Sequence, residues 1–212
     1  LARNLETSRS EGLTSAATTP ATRTIETQWH ATFRLPTQIA EKDGAGAVLR
    51  TTSMGYDASG NMLTRSITAG TSSRTWSYTY NANGSVLAMD GPRTDVADIT
   101  TYTYHPNDDP DLGKRGNVAT ITNAAGHGTN ITAYNAHGQP LTIVDPNRLT
   151  TTLAYDVRQR LTSRNVGGEV PSYEYDGVGQ LTKVTLPDGS FLSYTYDPAH
   201  RLTQIADNLD NR

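Results

Sequence analysis

One phrase recurs along this sequence and restricts its fold more tightly than any other feature. Tyr56-Asp57-Ala-Ser-Gly60-Asn-Met62-Leu63 returns as Tyr80-Asn81-Ala-Asn-Gly84-Ser-Val86-Leu87 and as Tyr134-Asn135-Ala-His-Gly138-Gln-Pro-Leu141. It continues as Tyr155-Asp156-Val-Arg-Gln159-Arg-Leu161-Thr162, Tyr175-Asp176-Gly-Val-Gly179-Gln-Leu181-Thr182 and Tyr196-Asp197-Pro-Ala-His200-Arg-Leu202-Thr203. The last four tyrosines stand 21, 20 and 21 residues apart. A fixed period of this size marks one supersecondary unit repeated along the chain. In the copy that starts at Tyr104-His105 the step from Tyr to Gly is 12 residues instead of 4. The sequence therefore predicts a turn-rich loop insertion around 106–115. A degenerate copy starts at Trp29-His30, with Trp in the tyrosine slot. Residues 1–28 read as a lead-in strand region, itself a degenerate repeat, and residues 29–212 as the repeat sheet.

Each unit reads as two strands and two turns. The approach strand carries tyrosines at alternate positions, as in Tyr78-Thr-Tyr80, Tyr102-Thr-Tyr104, Tyr173-Glu-Tyr175 and Tyr194-Thr-Tyr196. Residues i and i+2 of a strand share a face, so both rings stand on one side of the sheet. The Asp or Asn that follows bonds the backbone two residues on, and Gly supplies a positive φ. Gln159 and His200 occupy that Gly slot in their copies. Leu181 and Val184, like Leu202 and Ile205, lie three apart, which strict pleating sends to opposite faces. The spacing requires either a bulge or partial cover on both faces.

Composition agrees with strands throughout. Threonine supplies 33 of 212 residues and tyrosine 11 of 15 aromatics, while 18 Gly and 10 Pro punctuate the turns. Thr and Tyr suit pleated, half-buried surfaces, and no stretch shows apolar residues at helical spacing over three turns. The expected fold class is all-β, an array of stacked hairpins. A lone hairpin of this kind is not stable in water, so the units must flank one another in a continuous sheet. A β-propeller with two units per blade competes with this reading, but the spacing between copies is too irregular for equal blades.

The net charge of -3 gives no general attraction to nucleic acid or anionic membranes, and no apolar run approaches the length of a membrane helix. The absence of cysteine excludes a disulfide scaffold, a thiol nucleophile and a Cys-based zinc site. The start, Leu1-Ala-Arg-Asn-Leu5, has neither an initiator Met nor a signal-peptide core, so the sequence reads as a piece of a longer chain.

The phrase Tyr-Asp-x-x-Gly-x-Leu-Thr resembles the YD repeat of the Rhs (rearrangement hotspot) family, and the resemblance covers essentially the whole chain. Arg23-Thr-Ile-Glu-Thr-Gln-Trp29-His and Gly91-Pro-Arg-Thr-Asp-Val-Ala are similar to non-repeat phrases of bacterial Rhs proteins. The resemblance implies a spiral β-sheet forming part of a cocoon-like shell. Such a shell encloses a C-terminal toxin for delivery in interbacterial competition, before or during export from the cell. The partners it implies are the rest of the same polypeptide and a secretion spike or chaperone. Exposed sheet edges are expected to pair with another copy. The family's self-cleavage aspartates lie in a core segment after the repeats, and no position here matches it. The resemblance thus supplies no catalytic residue.

Candidate chemistry is thin. His105, Asp108, Asp109 and Asp111 form the one dense set of potential ligands. Pro110 between Asp109 and Asp111, with no terminal Glu, departs from a calcium loop, and a solvated insertion accounts for them. His30 and His105 fall in the Asp slot of the repeat, and His137 and His200 in its turn. With His127 these are the five histidines of the chain, and the periodic placement of four needs no chemistry. No Gly-x-Ser-x-Gly elbow occurs. Arg34, Arg65, Arg160 and Arg201 are expected to bridge to repeat Asp residues across hairpins. The reading is a structural segment: not an enzyme, with no catalytic, metal or cofactor residues. The alternative is a module whose Tyr78, Tyr173 and Tyr194 contact carbohydrate or a receptor.

Overall fold

The structure, a computed structural model, describes residues 5–13 and 21–208. Those residues form seventeen strands and no helix. The strands are β1 (Ser8–Leu13), β2 (Ala21–Trp29), β3 (Pro36–Lys42), β4 (Val48–Tyr56), β5 (Met62–Ala69) and β6 (Ser72–Tyr80). They continue as β7 (Val86–Asp90), β8 (Thr100–Tyr104), β9 (Val118–Thr122), β10 (Gly128–Tyr134), β11 (Pro140–Val144) and β12 (Thr150–Tyr155). The series ends with β13 (Leu161–Val166), β14 (Ser172–Tyr175), β15 (Leu181–Thr185), β16 (Phe191–Tyr196) and β17 (Leu202–Asp207).

The chain divides into two compact units, Leu1–Tyr102 with Asn123–Ala125, and Thr103–Thr122 with Gly126–Arg212. Within the first, β1 to β8 pair antiparallel in chain order. Within the second, β9 to β17 do the same. Each is the array of hairpins that the tyrosine period requires, and neither is divided into blades. Part of the lead-in, residues 1–4 and 14–20, and the last four residues lie outside the described set.

The repeat turn follows from its residues. In the copy at Tyr56, the Asp57 N–H donates to the Asn61 carbonyl at 2.9 Å, and the Gly60 N–H to the Asp57 carbonyl at 3.1 Å. This geometry forces residue 60 to φ +87°, a conformation that glycine adopts without strain. Gln159 and His200 take the same left-handed conformation at 65° and 63° without being glycine. The second turns vary more. One of them places Arg148 at φ 65°, a position that the repeat phrase did not single out.

A bulge settles the question of faces. Tyr175 pairs with Leu181, but Glu174 pairs with Lys183 and Tyr173 with Val184, so one residue of β15 is extra. Leu181 and Val184 then stand on one face, opposite Tyr175 and Tyr173. The same shift follows Trp29, Tyr56, Tyr80, Tyr155 and Tyr196, with a more irregular form at Tyr134.

No strand touches one that is not its ladder neighbour among the described residues. Each unit is therefore a single layer. Among the described residues the buried hydrophobic ones are Ala40 and Tyr134, and no side chain is fully enclosed. Strands such as β12 alternate half-buried and exposed positions, with Leu153 and Tyr155 on the half-buried side.

Candidate functional site

The repeats meet through a recurring contact that reaches from each tyrosine back to the hairpin before it. The Tyr80 hydroxyl donates to the Met62 carbonyl at 2.7 Å, Tyr175 to Leu161 at 2.9 Å, and Tyr196 to Leu181 at 2.9 Å. Tyr56 donates to Pro36 at 2.8 Å, Tyr134 to Val118 at 2.6 Å, and Tyr155 to Pro140 at 3.2 Å. In every case the acceptor is the first residue of the preceding departing strand. At Pro36, Met62, Pro140, Leu161 and Leu181 that carbonyl lies beside the bulge, where the ladder is locally disrupted. Trp29 confirms its place in the tyrosine slot by making the equivalent contact: its indole N–H donates to the Glu6 carbonyl at 2.8 Å. Burial raises the hydroxyl pKa of Tyr56, Tyr80, Tyr134 and Tyr155.

The residue after each tyrosine fastens the turn. One Asp57 carboxylate oxygen accepts from the Ser59 and Asn61 amides, both at 2.8 Å. Asn81, Asn135, Asp156, Asp176 and Asp197 repeat this arrangement. Hydrogen bonding holds three of these carboxyls below the usual range. For Asp57 the main cause is the Asn61 side chain; for Asp156 and Asp197 it is the backbone N–H of Arg160 and of Arg201.

Successive turns also grip each other. The Gln139 amide donates to the Gln159 carbonyl at 2.9 Å, and the Gln180 amide to the His200 carbonyl at 3.3 Å. Arg160 donates to the Asp176 carbonyl at 3.0 Å while its guanidinium lies 4.7 Å from the centre of the Tyr175 ring. The expected bridging of arginines to Asp carboxylates across hairpins is corrected here. Arg160 and Arg201 pair with Asp156 and Asp197 of their own turns, because four residues around a tight turn bring them closer than the next repeat does. Arg65 instead stacks on Trp76 at 5.4 Å. Arg34 is exposed in the connection between β2 and β3.

The insertion is pinched at its base, where the His105 N–H donates to the Asn117 carbonyl at 2.9 Å and the Gly116 N–H to the His105 carbonyl at 3.2 Å. Asp109 and Asp111 accept from the backbone amides of Asp111 and Gly113, so both carboxylates serve the loop's own turns. No group of three or more acidic or histidine side chains is placed to hold a metal among the described residues. The loop folds back onto the next repeat. A Cβ added to Gly113 would lie 2.5 Å from the Asn135 carbonyl oxygen and 2.9 Å from that of Tyr134. His105 joins this contact, its ring edge-on to Tyr134 and its Nε2 2.9 Å from the Ile131 carbonyl oxygen. His30 accepts from the amides of Thr32 and Phe33, and His200 Nδ1 lies 3.1 Å from Gln180 Oε1. His137 sits exposed in its turn and His127 in the connection before β10. The residues singled out from the sequence are dispersed by the repeat.

The period also missed a cluster. Glu41, its side chain 15% exposed, receives Arg23 from one side and Arg50 from the other. The three residues come from three strands, so no local spacing signals them.

These contacts define a class: an antiparallel array of β-hairpin repeats stapled to one another by side chains. Residues 134–170 and 175–211 match the family described as RHS Repeat, so the C-terminal part of the chain carries Rhs repeats. No curated protein matches the sequence. Among solved structures it is similar to a TcdB2-TccC3-TEV crystal structure (15% identity, 95% of this chain and 16% of that chain, TM-score 0.39). It is similar to the Photorhabdus luminescens Tc holotoxin pore (14% identity, 92% and 18%, TM-score 0.29). It is also similar to a porin-like protein from Bacteroides uniformis (13% identity, 94% and 93%, TM-score 0.40). The chain thus spans 16% of the TcdB2-TccC3 chain that it matches.

Proposed function

We propose that this chain is a wall segment of an Rhs-type shell that holds a C-terminal toxin or other cargo until delivery from a bacterial cell. The role is mechanical and steric, with no catalytic step carried by this segment. One observation carries the reading. Among the described residues each unit is a single layer with no fully enclosed side chain, so its half-buried tyrosine face is suited to bounding a space rather than to forming a closed core. The staples support the same role, because each hairpin is fastened to the one before it. On this reading its principal partner is the rest of the same polypeptide, loaded onto a secretion spike or chaperone.

The test uses the natural polypeptide that contains this chain. Under limited proteolysis, the segment that follows the repeats should resist digestion. Replacing Tyr155, Tyr175 and Tyr196 together by Phe should make that segment digestible while leaving its own fold unchanged. Digestion at the same rate with an intact and a weakened wall would end the encapsulation reading.

A further inference from the structure

One hairpin overhangs its neighbour. β5 and β6 stay paired as far as Ala69 opposite Ser72, across a turn at Gly70 and Thr71. The ladder between β6 and β7 stops at Ser77 opposite Asp90. The edge from Ser72 to Trp76 therefore has a strand on one side only, among the described residues. Unpaired backbone amides and carbonyls on such an edge are a template for another strand.

A wall already stands across the gap. Thr71–Arg74 face Pro92–Asp95 over an open cleft of about 680 Å³. The far side is held by Asp98, whose carboxylate accepts from the Arg93 amide at 3.0 Å. It depends on Gly91, where an added Cβ would lie 2.1 Å from Asp98 Oδ2. On the tyrosine face of the same overhang lies a second hollow of about 290 Å³, lined by Ile67, Ala69, Ser72, Arg74 and Trp76. Arg74 borders both spaces and has no carboxylate partner among the described residues, whereas Arg93 is paired with Asp95 at 2.8 Å. Arg65 stacks on the Trp76 ring at 5.4 Å.

We propose that this overhang is a docking site for an extended, acidic peptide strand. The strand adds to the open edge of β6, sets a carboxylate on Arg74, and seats an apolar side chain in the hollow beside Trp76. Strand addition uses main-chain hydrogen bonds for affinity and alternate side-chain pockets for specificity. Charge complementarity fixes the acidic choice: Arg74 borders both spaces without a carboxylate partner among the described residues, and an ionised hydrogen bond is stronger than a neutral one. The proposal stands apart from the shell reading and survives its failure.

The probe is a capped peptide, Thr-Glu-Phe-Glu-Thr-Glu-Thr, titrated into the 212-residue chain. Backbone amide shifts should be confined to Ser72–Trp76 and Arg93–Asp95, with a change in Trp76 emission. Arg74→Glu should weaken binding about tenfold or more, and should create binding of the same peptide with Lys in place of Glu. That gain cannot come from a misfolded variant. Any of four results would overturn the proposal: no shifts, shifts elsewhere, equal binding of the Glu and Lys peptides to the native chain, or unchanged binding of a peptide N-methylated at alternate residues. Concentration-dependent dimers dissolved by Arg74→Glu would overturn it in favour of pairing between copies.

Discussion

A hydroxyl on each repeat tyrosine does work that its ring alone does not. The first residue of a departing strand, such as Leu161 beside its bulge, exposes a carbonyl to which the tyrosine of the next repeat donates. A hydrogen bond of this kind contributes about 1 kcal/mol. Tyr175→Phe keeps the ring under Arg160 but removes the bond to Leu161, so the urea midpoint should fall by an amount equivalent to about 1 kcal/mol. Tyr173→Phe should leave it unchanged, since the Tyr173 hydroxyl has no hydrogen-bond partner among the described residues. Equal losses in the two variants would refute the staple. The turn carboxylates make a separate prediction in pH. The carboxyls of Asp57, Asp156 and Asp197 are held below their ordinary value. Their contribution is therefore complete above the unfolded value of about 4 and is lost as pH falls through the lower folded values. Thermal melts should drop steeply below about pH 4. Replacing all three by Asn should flatten that drop, because Asn81 and Asn135 already accept the same backbone bonds uncharged.

At the scale of the hairpin, the insertion after His105 shows how the array absorbs a longer loop. The ladder is pinched shut at its base, and Gly113 closes the gap against the backbone of Tyr134 and Asn135. Carbonyl oxygens of a paired strand cannot move aside easily, so a methyl group there must push the loop outward. Gly113→Ala should raise amide exchange across residues 106–115 and expose Tyr134, with little change in distant hairpins. Unchanged exchange in the loop would show that the close approach is unimportant. The insertion was legible as an interruption of the phrase, from the distance between Tyr104 and Gly116. Its docking was not, because Gly113 looks like one more turn glycine until the neighbouring strand is in place.

Over the whole molecule, each unit is a run of hairpins whose strands meet only ladder neighbours among the described residues. Stability in such an array is the sum of weak units and the contacts between them. This is why the repeats share one staple and one turn instead of a common core, and why the tyrosine face stays half-buried. The sequence by itself determined the period, the turns, the side of the strand on which the tyrosines stand, and the membership of Trp29 in the series. Those properties depend on residues within one turn or two positions of each other. Only the tertiary structure decided which carbonyl each hydroxyl reaches, and that a bulge returns Leu181 and Val184 to one face. It also decided that Arg160 and Arg201 turn to their own aspartates, and that the hairpin of Ile67 and Trp76 outruns its neighbour. Each of these is a matter of register between segments about one repeat apart, and a repeating phrase fixes the spacing of strands without fixing how one strand slides along the next.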